Sequence, residues 1–300
     1  MRSIVIAICL LPLLFNEGIG GWSHTDDSIF AVRVDSIRSI YSRPGENRIV
    51  AIGKLFLGTP YVGGTLDQDF AHESLVVDLH ELDCVTFYET TLAFMRASQL
   101  SSFNGSRFSP PSPSKEALEQ ELRSLRYRNG KVSGYASRLH YTTDYFFNAE
   151  KNGLLRNMTR EIGTTYIRNF GDKQIDFMSQ HRALYKQLAT NDANYDAIVK
   201  VEKNIRKRGP FSFIPKEDIE KIEKKIQSGD ILAITTNLPG LDCSHTGIAI
   251  RLKDDRIHFL HASSLAGKVI ISDEPLAEYL THSSHQTGII VMRSQGPFLD

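Results

Sequence analysis

The stretch Glu81-Leu82-Asp83-Cys84-Val85-Thr86-Phe87 places a cysteine where a polar turn gives way to an apolar helical pattern. Apolar side chains then recur at helical spacing, so residues 84–98 are predicted to form a helix with Asp83 as its N-cap. A thiol at a helix N-terminus lies beside unpaired backbone N–H groups and the positive end of the helix dipole. Because both lower the pKa of a cysteine, Cys84 is the first candidate nucleophile.

Two histidines follow much later, in strand-like runs. His245 lies in the run 244–250, Ser-His-Thr-Gly-Ile-Ala-Ile, and His261 lies in the run 259–264, Phe-Leu-His-Ala-Ser-Ser. An imidazole beside a thiol can take its proton and later give it to a leaving amine, so His245 is the candidate general base. A third polar group must hold that imidazole in the useful tautomer. His261 is the first choice, because the two runs can pair as a hairpin, and Ser263 is the alternative.

Other uses of these residues stay open. A single histidine on a strand is more often a hydrogen-bonded core or surface residue than a catalyst. Cys84, His245, His261 and an acid could hold zinc, although the close-spaced ligand pair usual in structural zinc sites is missing. Cys84 and Cys243 could also form a disulfide, since they are the two cysteines beyond residue 20. We predict that the protein uses no metal and no cofactor.

The first residues have the pattern of a secretory signal. Met1-Arg2 is followed by an apolar run and then by small residues up to Gly20, and the run is shorter than the ~20 residues of a membrane-spanning helix. We predict that residues 1–20 are a signal peptide, that residues 21–300 form a single domain, and that the protein is periplasmic or secreted. The formal net charge is +0, so no nucleic-acid partner is expected. No later apolar run is long enough to insert the mature chain into a membrane.

Helical patterns precede strand patterns along the chain. Helices are predicted at 84–98, at 116–125 and across 174–206, with a loop rich in serine and proline at 101–114. Strand-like runs separated by turn signals follow at 231–236, 246–252, 257–261, 269–271 and 288–292. This order indicates an α+β domain in which the nucleophile helix packs on an antiparallel sheet. Residues of about 100–215 are predicted to be a mostly helical insertion that frames a cleft.

Two further segments could line that cleft. The run 58–66, Gly-Thr-Pro-Tyr-Val-Gly-Gly-Thr-Leu, contains Tyr61 and a glycine pair that lets a backbone approach a ligand closely. An ordinary tight turn is the alternative. The run 134–141 brings an arginine, a histidine and two tyrosines together, which suits a carboxylate and a sugar or peptide face. A solvated loop with one ion pair is the alternative there.

Taken in order, these motifs resemble the N-acetylmuramoyl-L-alanine amidase-like family of bacterial exported proteins, a branch of the NlpC-type papain-like cell-wall hydrolases. The resemblance covers most of the chain after residue 20. It rests on the segments 58–66, 82–87, 137–141, 177–179, 229–230, 240–242, 245–247 and 261–264. It implies a papain-like α+β core and a cysteine amidase that acts on peptidoglycan or muropeptide fragments.

The resemblance also implies residue roles. Cys84 falls on the nucleophile, His245 on the base and His261 on the third polar residue. The residues expected to contact substrate are Tyr61, Gly63, Gly64, Asp83, Ser137, Arg138, His140, Tyr141, Asp242 and Ser263. Cys243 departs from the family pattern, and its place beside Asp242 puts the redox state of the site in question.

Three functions follow from these observations. The leading hypothesis is hydrolysis of the amide between N-acetylmuramic acid and L-alanine through a thioester on Cys84. A second enzymatic reading is a stem-peptide endopeptidase that cleaves at D-glutamate. The alternative from another class is a non-catalytic cell-wall-binding protein with a Cys84–Cys243 disulfide.

Overall fold

The computed structural model describes residues 22–42, 45, 47–67, 69, 71–104 and 112–295, with the backbone alone for 101–104. The signal peptide predicted at residues 1–20 lies outside this part of the chain. Among the helices within it, none combines the length and the apolar character needed to cross a bilayer.

Helices and strands are numbered in chain order. The α-helices are α1 (His24–Tyr41), α2 (Arg48–Lys54), α3 (Cys84–Asn104), α4 (Lys115–Arg126), α5 (Thr142–Lys151), α6 (Thr159–Gly163), α7 (Phe177–Gln180), α8 (Lys186–Ala189), α9 (Asp192–Lys207), α10 (Ile219–Ile222) and α11 (Leu276–Tyr279). Short 3-10 turns lie at Arg128–Gly130, Tyr135–Ser137, Thr164–Tyr166, Arg182–Leu184, Lys216–Asp218, Glu223–Lys225 and Leu280–His282. The strands are β1 (Leu155–Asn157), β2 (Arg168–Asn169), β3 (Ser212–Pro215), β4 (Ile231–Thr236), β5 (Cys243–Arg251), β6 (Ile257–Ser263), β7 (Lys268–Ile271) and β8 (Gln286–Ser294).

The strands form one 8-stranded sheet in the order β2-β3-β8-β4-β5-β6-β7, and β1 pairs with β8. The ladders between these strands are antiparallel. The hairpin expected between the two histidine runs is present as β5 and β6. These features confirm an α+β fold built on an antiparallel sheet.

Apolar side chains cover both faces of the sheet. Phe87 of α3 shares one buried cluster with Ile248 and Leu260, whereas Ala249 and Phe259 belong to a cluster on the opposite face. Successive strand residues point to opposite faces, which explains why neighbours such as Ile248 and Ala249 belong to different clusters. The helix that begins at Cys84 therefore packs on the sheet as expected.

The helix that begins at Cys84 is longer than its sequence pattern predicts. It continues to Asn104, so the prediction of a loop over 101–114 is wrong for its first four residues. Residues 105–111 of that loop lie outside the described residues. The first proline of the segment is Pro110, and a proline bars a helix only near its own position. The next helix begins as predicted, with the Ser114 side chain capping α4.

The insertion at about 100–215 is not purely helical. It contributes β1 and β3, which pair with the edge of β8 that faces away from β4. An open strand edge exposes unpaired backbone groups, so this pairing completes the sheet. The single helical stretch predicted over 174–206 is instead divided among α7, α8 and α9. Of its expected inward residues, Leu188 and Ile198 are fully buried, and Phe177 and Tyr185 are partly buried.

Candidate active site

Cys84 is the first residue of α3. Oδ1 of Asp83 accepts hydrogen bonds from the backbone N–H groups of Val85 (3.0 Å) and Thr86 (2.7 Å), and the Thr86 hydroxyl accepts one from the Asp83 N–H (2.8 Å). This reciprocal pattern confirms Asp83 as the N-cap. Among the backbone hydrogen bonds of the described residues, none uses the Cys84 N–H, which leaves it available to an oxyanion.

β5 and β6 separate at the level of the two histidines. Their ladder ends at the pair Ile248–Leu260. Beyond this pair β5 continues along β4, with His245 beside Ile234. β6 continues along β7, and His261 lies in that part of β6. The two strands therefore diverge beyond this pair, and both histidine rings lie against Phe259.

A hydrogen bond ties the start of α3 to this part of β5. The Thr246 hydroxyl donates to the Cys84 carbonyl oxygen at 2.9 Å. Thr246 is the neighbour of His245 in β5 and points to the face that α3 covers. The structure thus brings Cys84 and His245 to the same end of the sheet.

The two histidines are in direct contact. Nε2 of His245 lies 2.6 Å from Nδ1 of His261, and the His261 ring stacks on Phe259 with centroids 4.6 Å apart. Because His261 contacts Nε2 of His245, Nδ1 is the ring nitrogen of His245 that this contact does not use. Ser263, the alternative orienting residue, instead accepts a hydrogen bond from the Ala266 N–H.

Gly247 allows the close approach of β5 to the end of β6. A β-carbon at this position would lie 2.7 Å from the Leu260 carbonyl oxygen and 2.8 Å from the His261 β-carbon. We expect Gly247→Ala to lower the free energy of unfolding by about 1–3 kcal/mol, because a backbone oxygen cannot move aside as a flexible side chain can.

Urea denaturation measures this effect, and Gly63→Ala is the matched control. A β-carbon at Gly63 would have its nearest neighbour at 3.9 Å, so this variant should stay within about 0.5 kcal/mol of wild type. If Gly247→Ala is as stable as Gly63→Ala, the proposed crowding is wrong.

The environment of Cys84, His245 and His261 favours the uncharged form of each side chain. Burial raises the pKa of the Cys84 thiol to about 12, and the Asp83 carboxylate adds to this shift. Burial lowers the pKa of His245 to about 4, and burial together with His245 lowers the pKa of His261 to about 3. Near pH 7 the free protein therefore holds a thiol and neutral imidazoles. The expectation that the helix N-terminus would lower the thiol pKa is wrong here, because burial and Asp83 outweigh it.

We expect the alkylation of Cys84 by iodoacetamide to accelerate steadily from about pH 7 to about pH 10. The rate follows the thiolate fraction, which grows about tenfold per pH unit below the pKa. A thiol whose pKa is raised to about 12 therefore shows no plateau near neutrality. Mass spectrometry of the Cys243→Ser variant isolates the reaction at Cys84. A rate that levels off below pH 7 would reveal a thiolate–imidazolium pair and contradict this result.

Tyr61 is the predicted substrate residue that lies beside the thiol. Burial raises its pKa, and Cys84 and Asp83 contribute further to that rise. The Tyr61 N–H donates to the Gly267 carbonyl at 2.9 Å, which ties this loop to the turn between β6 and β7. Gly63 and Gly64, which follow Tyr61, are exposed. Contact of these three residues with substrate stays a prediction.

The other predicted segment uses its polar groups inside the protein. Arg138 is buried and forms ion pairs with Asp67 and Glu73. The Ser137 hydroxyl donates a hydrogen bond to the Gly134 carbonyl at 2.6 Å, and His140 Nε2 lies 2.9 Å from the Tyr135 carbonyl oxygen. The Tyr141 hydroxyl donates to the Glu202 carboxylate at 2.8 Å. The alternative of a solvated loop with one ion pair is wrong, because this segment is buried. Contact of these residues with substrate stays a prediction.

Asp242 and Cys243 lie just before His245 on the chain. Asp242 is buried, and its carboxylate accepts hydrogen bonds from the N–H and the hydroxyl of Thr143 at 2.6 and 2.7 Å. These bonds fix the first turn of α5 against β5. Cys84 and Cys243 are both free thiols in the structure, whereas the non-catalytic alternative requires their oxidation.

One residue beside the site is not singled out by any sequence motif. The Tyr279 ring lies 5.4 Å from the His261 ring and 5.6 Å from the Phe259 ring, measured between centroids. Burial raises the pKa of Tyr279, and Cys84 adds to the rise, so this phenol lies near both the thiol and the histidine. It comes from the four-residue helix α11, which is too short to show a periodic pattern.

Comparisons with known proteins identify the family of this chain. Residues 51–289 match the family described as AmiA-like, N-acetylmuramoyl-L-alanine amidase-like. A solved N-acetylmuramoyl-L-alanine amidase from Bacteroides uniformis is 34% identical with a TM-score of 0.72, over 83% of this chain and 99% of that one. A Bacteroides fragilis protein named as a candidate xylanase is 36% identical with a TM-score of 0.68, over 80% and 98%.

A Legionella pneumophila protein with 22% identity and a TM-score of 0.62, over 90% of this chain and 97% of its own, shares the fold. No curated protein matches the chain. The family match spans most of the sequence, and the Bacteroides uniformis structure is covered almost completely. The chain therefore belongs to the N-acetylmuramoyl-L-alanine amidase-like family.

Proposed function

We propose that this protein is a cysteine hydrolase that cleaves the amide between N-acetylmuramic acid and L-alanine in peptidoglycan or muropeptide fragments. The observation that carries the proposal is the Thr246 hydrogen bond, which ties the backbone of Cys84 to the residue next to His245, itself in contact with His261. Membership of the amidase-like family supports an amide as the bond that is broken.

In the proposed reaction, Sγ of Cys84 attacks the carbonyl carbon of the muramoyl amide while Nδ1 of His245 takes the thiol proton. The Cys84 N–H donates to the oxyanion that forms. The imidazolium then gives its proton to the nitrogen of L-alanine, the C–N bond breaks, and a thioester remains on Cys84. Water attacks this thioester, again with His245 as base, which releases the muramic acid and restores the thiol.

His261 acts through His245 in this scheme. Its Nδ1 accepts the hydrogen bond from Nε2–H of His245, so the proton-accepting Nδ1 is free of hydrogen. The lowered pKa of both imidazoles keeps them neutral at the start, as a base must be. Proton transfer then accompanies the attack, because the thiol is not ionised beforehand.

We also propose that the core is papain-like and of the NlpC type. In support, a helix with the cysteine at its N-terminus packs on an antiparallel sheet that carries both histidines. The pairing of β1 and β3 with β8 supports one domain over residues 21–300, with the insertion at about 100–215 built into its sheet. The apolar run before Gly20 supports a signal peptide and a periplasmic or secreted protein.

Digestion of defined muropeptides, followed by mass spectrometry, tests the proposed bond. We expect a free stem peptide that begins with L-alanine and a glycan fragment that ends in unsubstituted N-acetylmuramic acid. Fragments in which muramic acid keeps L-alanine and D-glutamate would show the stem-peptide endopeptidase instead. If the wild-type protein cleaves no muropeptide, the hydrolase proposal fails.

A further inference from the structure

The imidazole of His261 has one nitrogen whose partner is not a conventional hydrogen-bonding group. His261 is fully buried, and its Nδ1 lies 2.6 Å from Nε2 of His245. Its Nε2 is buried as well and has no hydrogen-bond partner among the described residues. An unpaired polar nitrogen inside a protein costs free energy, so this atom requires a physical explanation.

The tautomer of His261 decides what its Nε2 can do. Burial together with His245 lowers the pKa of His261 to about 3, so near pH 7 the ring is neutral and carries one proton. If Nδ1 accepts a hydrogen bond from Nε2–H of His245, the proton of His261 is on Nε2. If Nδ1 is instead the donor, the proton of His245 must lie on its own Nδ1. Only the first arrangement leaves Nδ1 of His245 free to accept a proton from a thiol.

Two aromatic rings surround the imidazole of His261. Phe259 stacks on it, with centroids 4.6 Å apart and an interplanar angle of 20°. Tyr279 lies 5.4 Å away at 71°, which is an edge-to-face arrangement. The centroids of Phe259 and Tyr279 are 5.6 Å apart. This is too close for rings on opposite faces of the imidazole, since their separation would then approach the sum of their distances from it. Tyr279 therefore lies off the second face, toward the edge of the imidazole.

Tyr279 and His245 contact different parts of the His261 ring. Within the described part of the chain, the ring contacts of Tyr279 are with Phe259, His261 and His282, and not with His245. His245 lies at the Nδ1 side. The face of an aromatic ring carries partial negative charge, so it attracts an N–H group and repels a nitrogen lone pair. A tyrosine ring next to Nε2 thus favours the tautomer with the proton on Nε2.

We propose that Tyr279 is a positioning residue whose ring accepts the Nε2–H of His261 and thereby fixes the tautomers of both histidines. The ring holds the proton of His261 on Nε2. Nδ1 of His261 then accepts from His245, and Nδ1 of His245 stays free of hydrogen. The hydroxyl of Tyr279 has no part in this contact. The catalytic consequence rests on the proposed function, to which the inference adds the residue that prepares the base.

NMR of protein labelled with ¹⁵N at histidine tests the contact without relying on catalysis. We expect His261 to carry its proton on Nε2, with the Nε2–H signal shifted upfield, because a proton above an aromatic ring lies in its ring current. Tyr279→Phe should keep both features, since phenylalanine has the same aromatic face. Tyr279→Leu should abolish the upfield shift and raise the ratio of the other tautomer about five- to tenfold, because the buried N–H loses its partner.

Kinetics adds a second measurement where the amidase is active. Tyr279→Leu should lower kcat about five- to tenfold with little change in KM, and Tyr279→Phe should keep the wild-type kcat. A purely structural role of the tyrosine would not move the tautomer ratio. Tyr166→Leu, which removes an exposed tyrosine of the turn 164–166, is the control and should match wild type in both measurements.

Three results would overturn the proposal. They are a wild-type His261 with its proton on Nδ1, an Nε2–H signal without the upfield shift, and a Tyr279→Phe variant that loses the signal as Tyr279→Leu does. A wild-type protein that shows the shifted signal but cleaves no muropeptide would refute the hydrolase and keep the ring contact.

Discussion

Replacing Cys84 with alanine is expected to abolish the release of stem peptide from muropeptides, with kcat lower by about 10⁴- to 10⁶-fold. No other group of the site can form the thioester, and substrate binding with the backbone donor would supply the small remaining rate. Chromatographic quantification of stem peptide over long incubations measures the loss. Because the thiol is small and half-buried, the variant should fold and keep its melting temperature within a few degrees.

Cys243→Ala is the matched control for this experiment. Cys243 is a buried free thiol on β5, two residues from His245, and has no role in the proposed reaction. Its loss should leave kcat within about threefold of wild type. Stem-peptide release by Cys84→Ala at the wild-type rate would refute the cysteine mechanism.

The second large effect is expected at the histidine pair. His245→Gln should lower kcat by about 10²- to 10⁴-fold, the usual worth of a general base. His261→Gln should lower it by about ten- to a hundredfold, because His261 acts by orienting His245 at 2.6 Å. The double variant should be no slower than His245→Gln, since an orienting residue has no effect once its target is gone.

Steady-state kinetics on one muropeptide gives these ratios, with His181→Gln as an exposed-histidine control. A larger loss of kcat in His261→Gln than in His245→Gln would mean that His261 is the base and His245 the orienting residue. Losses that multiply in the double variant would mean that the two imidazoles act independently, which contradicts the scheme.

The sequence predicted the parts of the fold that have a long apolar period. β4 has the predicted bounds, and α3, β5, β6 and β8 were each located within a few residues. It missed β1, β2 and β3, which are 2–4 residues long and lie in the segment that was predicted to be mostly helical. Their pairing with distant parts of the chain is set by tertiary contacts that a local pattern does not contain.

The motifs around Cys84, His245 and His261 were informative because each carries several residues in order. Tyr279 stands alone in a four-residue helix, so no pattern marks it. The burial of individual side chains was the other property that the sequence did not predict. The helix-end argument predicted a lowered thiol pKa, whereas the structure encloses the thiol and places Asp83 beside it. The ion pairs of Arg138 could not be predicted either, because its partners, Asp67 and Glu73, lie far upstream in the sequence.

The position of β8 in the middle of the sheet has a consequence for biosynthesis. Residues 286–294 lie between β3 and β4, although every other strand of the sheet is translated before them. A chain that emerges N-terminus first, from the ribosome or from a membrane channel, therefore cannot complete the sheet until these residues emerge. Before that moment, the strand that carries His245 is supported on one side by an unfinished β4. The order of emergence thus delays assembly of the proposed hydrolytic site until nearly all of the described chain is present.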